Sequence, residues 1–169
     1  MPDMHSRNEI SLLLQPWDHP DGIYLRSKQR AEILSLGGDD PGTPPTASNV
    51  PIFVIAYLSG SPVGCGGLRP LQDPLMPASD NVAEIKRMFV DPAHRGNKGN
   101  GTSIAQLILG ELEAQARRIA LSLLVLETGD FLVQARRFYE KCGFVRQEKF
   151  GSYIDASNSV FYEKSIAQA

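Results

Sequence analysis

The chain is short of the residues that build metal centres and disulfide scaffolds. It has only two cysteines, Cys65 and Cys142, and three histidines, His5, His19 and His94. They are scattered without ligand spacing, so no metal site is expected. Cys65 falls in an apolar, Gly-rich run and Cys142 stands beside Gly143, and both read as small buried thiols. An excess of positive charge is also missing: 17 Lys and Arg against 19 Asp and Glu give a net charge of −2. That excludes a whole-protein attraction to nucleic acid or to an anionic membrane. No apolar run approaches the ~18 residues of a membrane span, and the N-terminus has no apolar signal-peptide core. The expected protein is cytoplasmic, with no nucleic-acid and no membrane partner.

What is present suits an ordinary globular domain. With 169 residues, of which 42% are apolar, residues 1–169 read as one domain that can bury roughly 70% of its unfolded surface. Residues 10–15 form a short apolar strand pattern, and the Asp18–Asp21 stretch with its proline starts a helix running to about Leu36. Residues 37–51 hold three glycines and four prolines and read as a surface loop, either a solvated connector or a cap over a cleft. Residues 52–58 and 63–68, joined by a turn at 59–62, read as a hairpin. A loop over 69–81 precedes a third strand, 82–90, which Asp91-Pro92 stops.

From Thr102 the pattern is helical. Ile104, Ile108, Leu112, Ala116 and Ile119 recur at spacings of three and four and define one apolar face. Residues 122–126 are a continuous apolar run of strand length. Residues 130–142 read as a second helix of this half, with Gly143 as its left-handed cap. Strands over 144–150 and 159–165 close the chain. The order predicts an α/β fold: a mixed, mostly antiparallel central sheet with helices on both faces.

The segment after the third strand carries the strongest signal. It reads Val90-Asp91-Pro92-Ala93-His94-Arg95-Gly96-Asn97-Lys98-Gly99-Asn100-Gly101-Thr102. Glycines let a backbone approach a ligand closely, and their N–H groups can converge on an anion at a helix N-terminus. Arg95 and Lys98 supply the positive charge that the chain as a whole lacks. A Walker loop is excluded, because no Gly-Lys-Ser/Thr follows. The dinucleotide fingerprint fails as well, since its third glycine would fall on Ile104.

Three segments together resemble the GNAT family of N-acetyltransferases, over roughly residues 52–164. They are the strand Ala83-Glu84-Ile85-Lys86-Arg87-Met88-Phe89-Val90, the loop just described, and Phe138-Tyr139-Glu140-Lys141-Cys142-Gly143-Phe144. The resemblance implies a GNAT-like fold, acetyl-CoA as acyl donor and no metal. It places the pyrophosphate at Arg95, Gly96, Asn97, Lys98, Gly99, Asn100, Gly101 and Thr102. The pantetheine arm would run along Met88, Phe89 and Val90, with Phe138 and Lys141 lining the same groove. Two departures stand out. Counting back from Gly99, the family's cation position falls on Gly96, one residue after Arg95, as if the loop carried one extra residue. The asparagine often found seven residues before the family's tyrosine is Leu132.

The chemistry asks for a base and an acid. An alkyl ammonium of pKa ~10.4 costs about 4.6 kcal/mol to deprotonate at pH 7. Glu84, a carboxylate between apolar strand residues, matches the family's base position; an ion pair with Lys86 or Arg87 is the alternative. The leaving thiolate needs a proton, and Tyr139, at the family's general-acid position, can donate one; a core tyrosine is the alternative. The acceptor is expected to be the primary amine of a small molecule or amino acid, with Arg87 and Asp155 as candidate readers of its charges. A protein or peptide lysine acetyltransferase and a non-catalytic acyl-CoA-binding regulatory domain remain alternatives. The resemblance also allows a homodimer.

Overall fold

The computed structural model describes residues 9–71, 81–96, 102–148 and 157–166. In chain order the elements are β1 (Ile10–Leu14), α1 (Pro20–Ser35), β2 (Ile52–Leu58), β3 (Ser61–Pro70), β4 (Val82–Val90), α2 (Ile104–Arg118), β5 (Leu123–Gly129), α3 (Val133–Lys141), β6 (Val145–Gln147) and β7 (Ser159–Ser165). The strands form one sheet of order β1-β2-β3-β4-β5-β7-β6. Among the described residues only β4 and β5 run parallel; the other neighbours are antiparallel.

Alternation along β2 sorts the helices onto opposite faces. Phe53 and Ile55 pack with Leu25 of α1, Cys65 and Phe89. Val54 and Ala56 belong to the cluster that holds Ile108, Leu109, Leu112 and Ala116 of α2 and Tyr139 of α3. Ile108 and Leu112 are fully buried, and each contributes about 1.5–3 kcal/mol by leaving water.

Local chemistry sets the ends of the helices. His19 caps α1 by accepting the Asp21 N–H at 3.1 Å, with Pro20 at the first position. In α2 the cap is Ser103, whose hydroxyl takes the Gln106 N–H while the Gln106 side chain takes the Ser103 N–H. This reciprocal box starts the helix after Thr102. At its other end α2 stops at Arg118 and Ala120 turns left-handed (φ 61°). Ile119 therefore leaves the apolar face and is half exposed, contrary to the periodicity. The last helix is shorter than 130–142, because its cap is Leu132, which makes no side-chain cap bond. Gly143 is left-handed (φ 95°) after it, as expected.

One irregularity shapes the centre of the sheet. Between the pairs Cys65↔Phe89 and Gly67↔Lys86, two residues of β4 oppose Gly66 alone. Arg87 sits in this bulge with φ 58°, a conformation costly for a side-chain-bearing residue. A Cβ on Gly66 would lie 2.6 Å from the Met88 sulfur, so the glycine makes room for the bulged strand. Pairing of β4 with β5 ends at Glu84↔Val125, whereas β5 continues beside β7 to Gly129. The two parallel strands thus part beyond Glu84, and α3 approaches the gap.

The 37–51 segment is strapped to the sheet. Arg69 donates to the Thr43 carbonyl at 2.7 Å, and Arg87 pairs with Asp40. Val50 at its end is buried.

Candidate active site

The gap opens into a groove of about 520 Å³, lined on one side by Met88, Phe89 and Val90 and on the other by Leu132, Ala135, Phe138 and Tyr139. Because β5 has turned away, the β4 carbonyls find side-chain donors: Gln29 Nε2 reaches Met88 O at 2.9 Å, and Arg95 Nε reaches Val90 O at 2.8 Å. Each carbonyl keeps a second lone pair for a ligand amide.

At one end the groove meets His94, Arg95, Gly96 and the start of α2 at Ser103, Ile104 and Ala105. The first amides of a helix lack intrahelical acceptors, and the dipole there is positive. Asp91 organises this end. It accepts from Ala93 N at 3.0 Å and pairs with Lys28, whose ammonium holds the Asp91 carboxyl below its usual range. The Arg95 guanidinium pairs with Glu32 at 2.8 Å, so a phosphate would have to share or displace that carboxylate. Of the loop residues expected to hold phosphates, Arg95 and Gly96 line the groove. Thr102 is exposed, outside the lining, and Asn97, Lys98, Gly99, Asn100 and Gly101 lie outside the described residues.

Tyr139 stands where this groove meets a second, polar recess of about 120 Å³. The tyrosine is 7% exposed, packed between Phe138 (5.2 Å) and Phe144 (5.6 Å). Burial pushes its pKa up, so it is protonated at neutral pH. Lys141, one turn-fraction further, is exposed and lines neither space.

Glu84 is elsewhere. It lines neither space, is 1% exposed, and its Oε1 accepts from Arg69 Nη2 at 2.6 Å and Nε at 3.2 Å. Lys86 approaches Oε2 at 3.8 Å. The expected base is therefore held in a buried ion cluster, and the geometry does not bring it to Tyr139. The alternative of an ion pair with Lys86 describes part of what is seen, with Arg69 the stronger partner.

The recess is lined instead by Asp39, Asp40, Lys86, Arg87, Glu127 and Thr128, with Gln29, Met88 and Tyr139 shared with the groove. Glu127 is half-buried and takes a hydrogen bond from Ser159 Oγ at 2.7 Å. Burial raises its pKa, partly offset by the Ser159 bond and the Lys86 charge. The sequence pattern placed Glu127 one residue past a strand ending at Leu126; its signal was a carboxylate closing a run of buried apolar residues. Asp40 gave no signal in a Gly/Pro-rich loop. Arg87 lines the recess and pairs with Asp40, and Asp155 lies outside the described residues.

No helix among the described residues is long and apolar enough to cross a membrane. A sequence model of the acetyltransferase (GNAT) family matches residues 16–144. An IAA acetyltransferase of Azospirillum brasilense is 35% identical over 114 residues, 68% of this chain and 67% of that one. A crystal structure from Klebsiella pneumoniae, described as an acyl-CoA N-acyltransferase, superposes with TM-score 0.75 at 28% identity, covering 94% of this chain and 98% of its own. An acetyltransferase of Salmonella typhimurium, solved with its cofactor acetyl-CoA, shares the fold at TM-score 0.62 and 12% identity, over 96% of each chain.

Proposed function

The chain belongs to the GNAT family of acetyltransferases, and from that premise we propose that it moves the acetyl group of acetyl-CoA to the primary amine of a small molecule. One observation carries the reading: a groove of about 520 Å³ lined from the start of α2 to Tyr139 adjoins a small polar recess, and Tyr139 lies at their junction. The phosphates would lie against Arg95, Gly96 and the first amides of α2, and the pantetheine amides against the β4 edge at Met88 and Val90. That geometry leaves the thioester at the junction. The amine attacks the carbonyl carbon from the recess. As the C–S bond breaks, Tyr139, which lies at the junction of groove and recess, donates its proton to the sulfur.

The preference for a small acceptor rests on the strap over the recess. The Arg87–Asp40 pair and the Arg69–Thr43 bond hold the 37–51 segment against the sheet, and the recess holds only about 120 Å³. A peptide main chain needs a more open trough. The test is release of free CoA from acetyl-CoA over a panel of α-amino acids, alkylamines, aliphatic diamines and a lysine-containing peptide. The reading expects turnover with a small amine and little with the peptide. Acetyl-CoA binding without release for any amine would favour a regulatory acyl-CoA-binding domain.

A further inference from the structure

We propose that Glu127, rather than Glu84, is the general base that takes the proton from the acceptor ammonium; this rests on the acetyltransferase reading above. Glu127 lies two residues past Val125, the last β5 residue paired with β4. It therefore stands where the strands have parted, on the wall of the recess that also contains Tyr139. The two side chains are close enough that the Glu127 charge contributes to the raised pKa of Tyr139.

The other carboxylates of this region are engaged, exposed or remote. Glu84 is held by Arg69 and Lys86, and Asp40 by Arg87. Asp39 also lines the recess but is exposed to solvent, where burial does not favour proton uptake as it does at Glu127, and Asp91 is bound to Lys28 at the phosphate end. Glu127 Oε1 takes one hydrogen bond, from Ser159, and among the described residues Oε2 takes none. That oxygen is the one available to an ammonium.

The groups facing Glu127 come from each neighbouring element. They are Lys86 and Glu84 on β4, Asp40 on the strap, Ser159 on β7 and Tyr139 on α3. Burial and the two carboxylates raise its proton affinity, while Lys86 and Ser159 lower it, and burial is the largest influence. A base so tuned loses less to protonation mismatch with an ammonium than an exposed carboxylate does.

The protons balance. Glu127 takes one from R–NH3⁺, and the neutral amine forms the C–N bond. The tetrahedral adduct collapses with loss of the C–S bond, Tyr139 protonates the sulfur, and the excess proton on nitrogen restores Tyr139. Glu127 returns its proton to solvent, so one proton is released per amide formed.

The test uses the full chain and the best acceptor from the amine panel. Wild-type kcat/KM should rise with pH through a limb lying above the ordinary glutamate value of ~4.3. Glu127→Gln should lower kcat at least about 100-fold, abolish that limb, and leave the acetyl-CoA dissociation constant unchanged in calorimetry. Near-normal kcat, or loss of acetyl-CoA affinity in parallel with turnover, would overturn the assignment. Should Glu127→Gln not fold, Ser159→Ala decides: removing the bond that lowers the Glu127 pKa should move the limb to higher pH, and an unmoved limb would overturn the proposal. Failure of the wild type with every amine would sink the enzymatic reading and the assignment with it, whereas turnover that survives Glu127→Gln would sink the assignment alone.

Discussion

Arg69→Met separates a structural Glu84 from a catalytic one. Arg69 is 6% exposed and gives Glu84 two hydrogen bonds to a carboxylate that is itself 1% exposed. Truncating one member of such a pair leaves an uncompensated buried charge, which costs about 3–5 kcal/mol. Lys86 remains 3.8 Å from the other oxygen, which points to the low end, about 3 kcal/mol. For a domain of this size that corresponds to a fall in Tm of roughly 6–12 °C. It is also a large share of the ~5–15 kcal/mol that holds a typical domain together. Urea denaturation followed by circular dichroism reads it as a lower midpoint at unchanged m-value. The double variant Arg69→Met with Glu84→Leu removes both charges of the pair but also takes Glu84 from the buried Lys86 ammonium and the Arg69 donor from Thr43 O, so it should recover only part of the loss. A single variant within about 0.5 kcal/mol of wild type, the usual range for surface changes, would refute the buried-pair reasoning. Acetyl transfer by the partly recovered double variant then settles its role: retained kcat marks Glu84 as structural, and abolished kcat in a stably folded double variant restores it as the base.

Three further outcomes are expected. Tyr139→Phe should lower kcat about 100-fold or more with an unchanged acetyl-CoA dissociation constant, and near-normal turnover at saturating amine would remove Tyr139 from the acid role. Arg95→Ala with Lys98→Ala should weaken acetyl-CoA binding in calorimetry; an unchanged constant would put the phosphates elsewhere. Gly64→Ala should destabilise by about 1–3 kcal/mol, since a Cβ there would lie 2.9 Å from the Phe89 carbonyl, and backbone next to the bulge cannot yield as a flexible side chain can; a melting curve like that of wild type would show that β3 and β4 tolerate separation.

Elements with a repeating apolar pattern were legible in the sequence. The strands Ile52–Leu58, Val82–Val90 and Ser159–Ser165 stand where composition put them, and α1 begins at its proline. Boundaries failed where a cap decided them. Ser103 and Gln106 form a capping box that could have been read, whereas the late start of α3 follows from the absence of any capping side chain at Leu132. The hairpin turn is tighter than expected because Ser59 (φ 50°) and Gly60 (φ 82°) are both left-handed, letting Leu58 pair with Ser61 directly. The bulge at Arg87 had no local signal, since arginine is not a residue that favours positive φ. That bulge follows the last β4–β5 pair, Glu84↔Val125. Glu127 and Asp40 come to line the recess through the parting of these strands and through the long-range contacts of Arg69 and Arg87, which no sequence window contains.

The central claim is that acetyl-CoA lies in the β4/β5 gap with its thioester at the junction of groove and recess. A crystal structure of the protein with CoA tests it most directly. The account predicts the pantetheine arm along Met88–Val90, the pyrophosphate at Arg95 and the first turn of α2, and the sulfur within hydrogen-bond reach of the Tyr139 hydroxyl on the side that faces Glu127. CoA bound outside the gap, or with its sulfur turned away from Tyr139 and the recess, would contradict it.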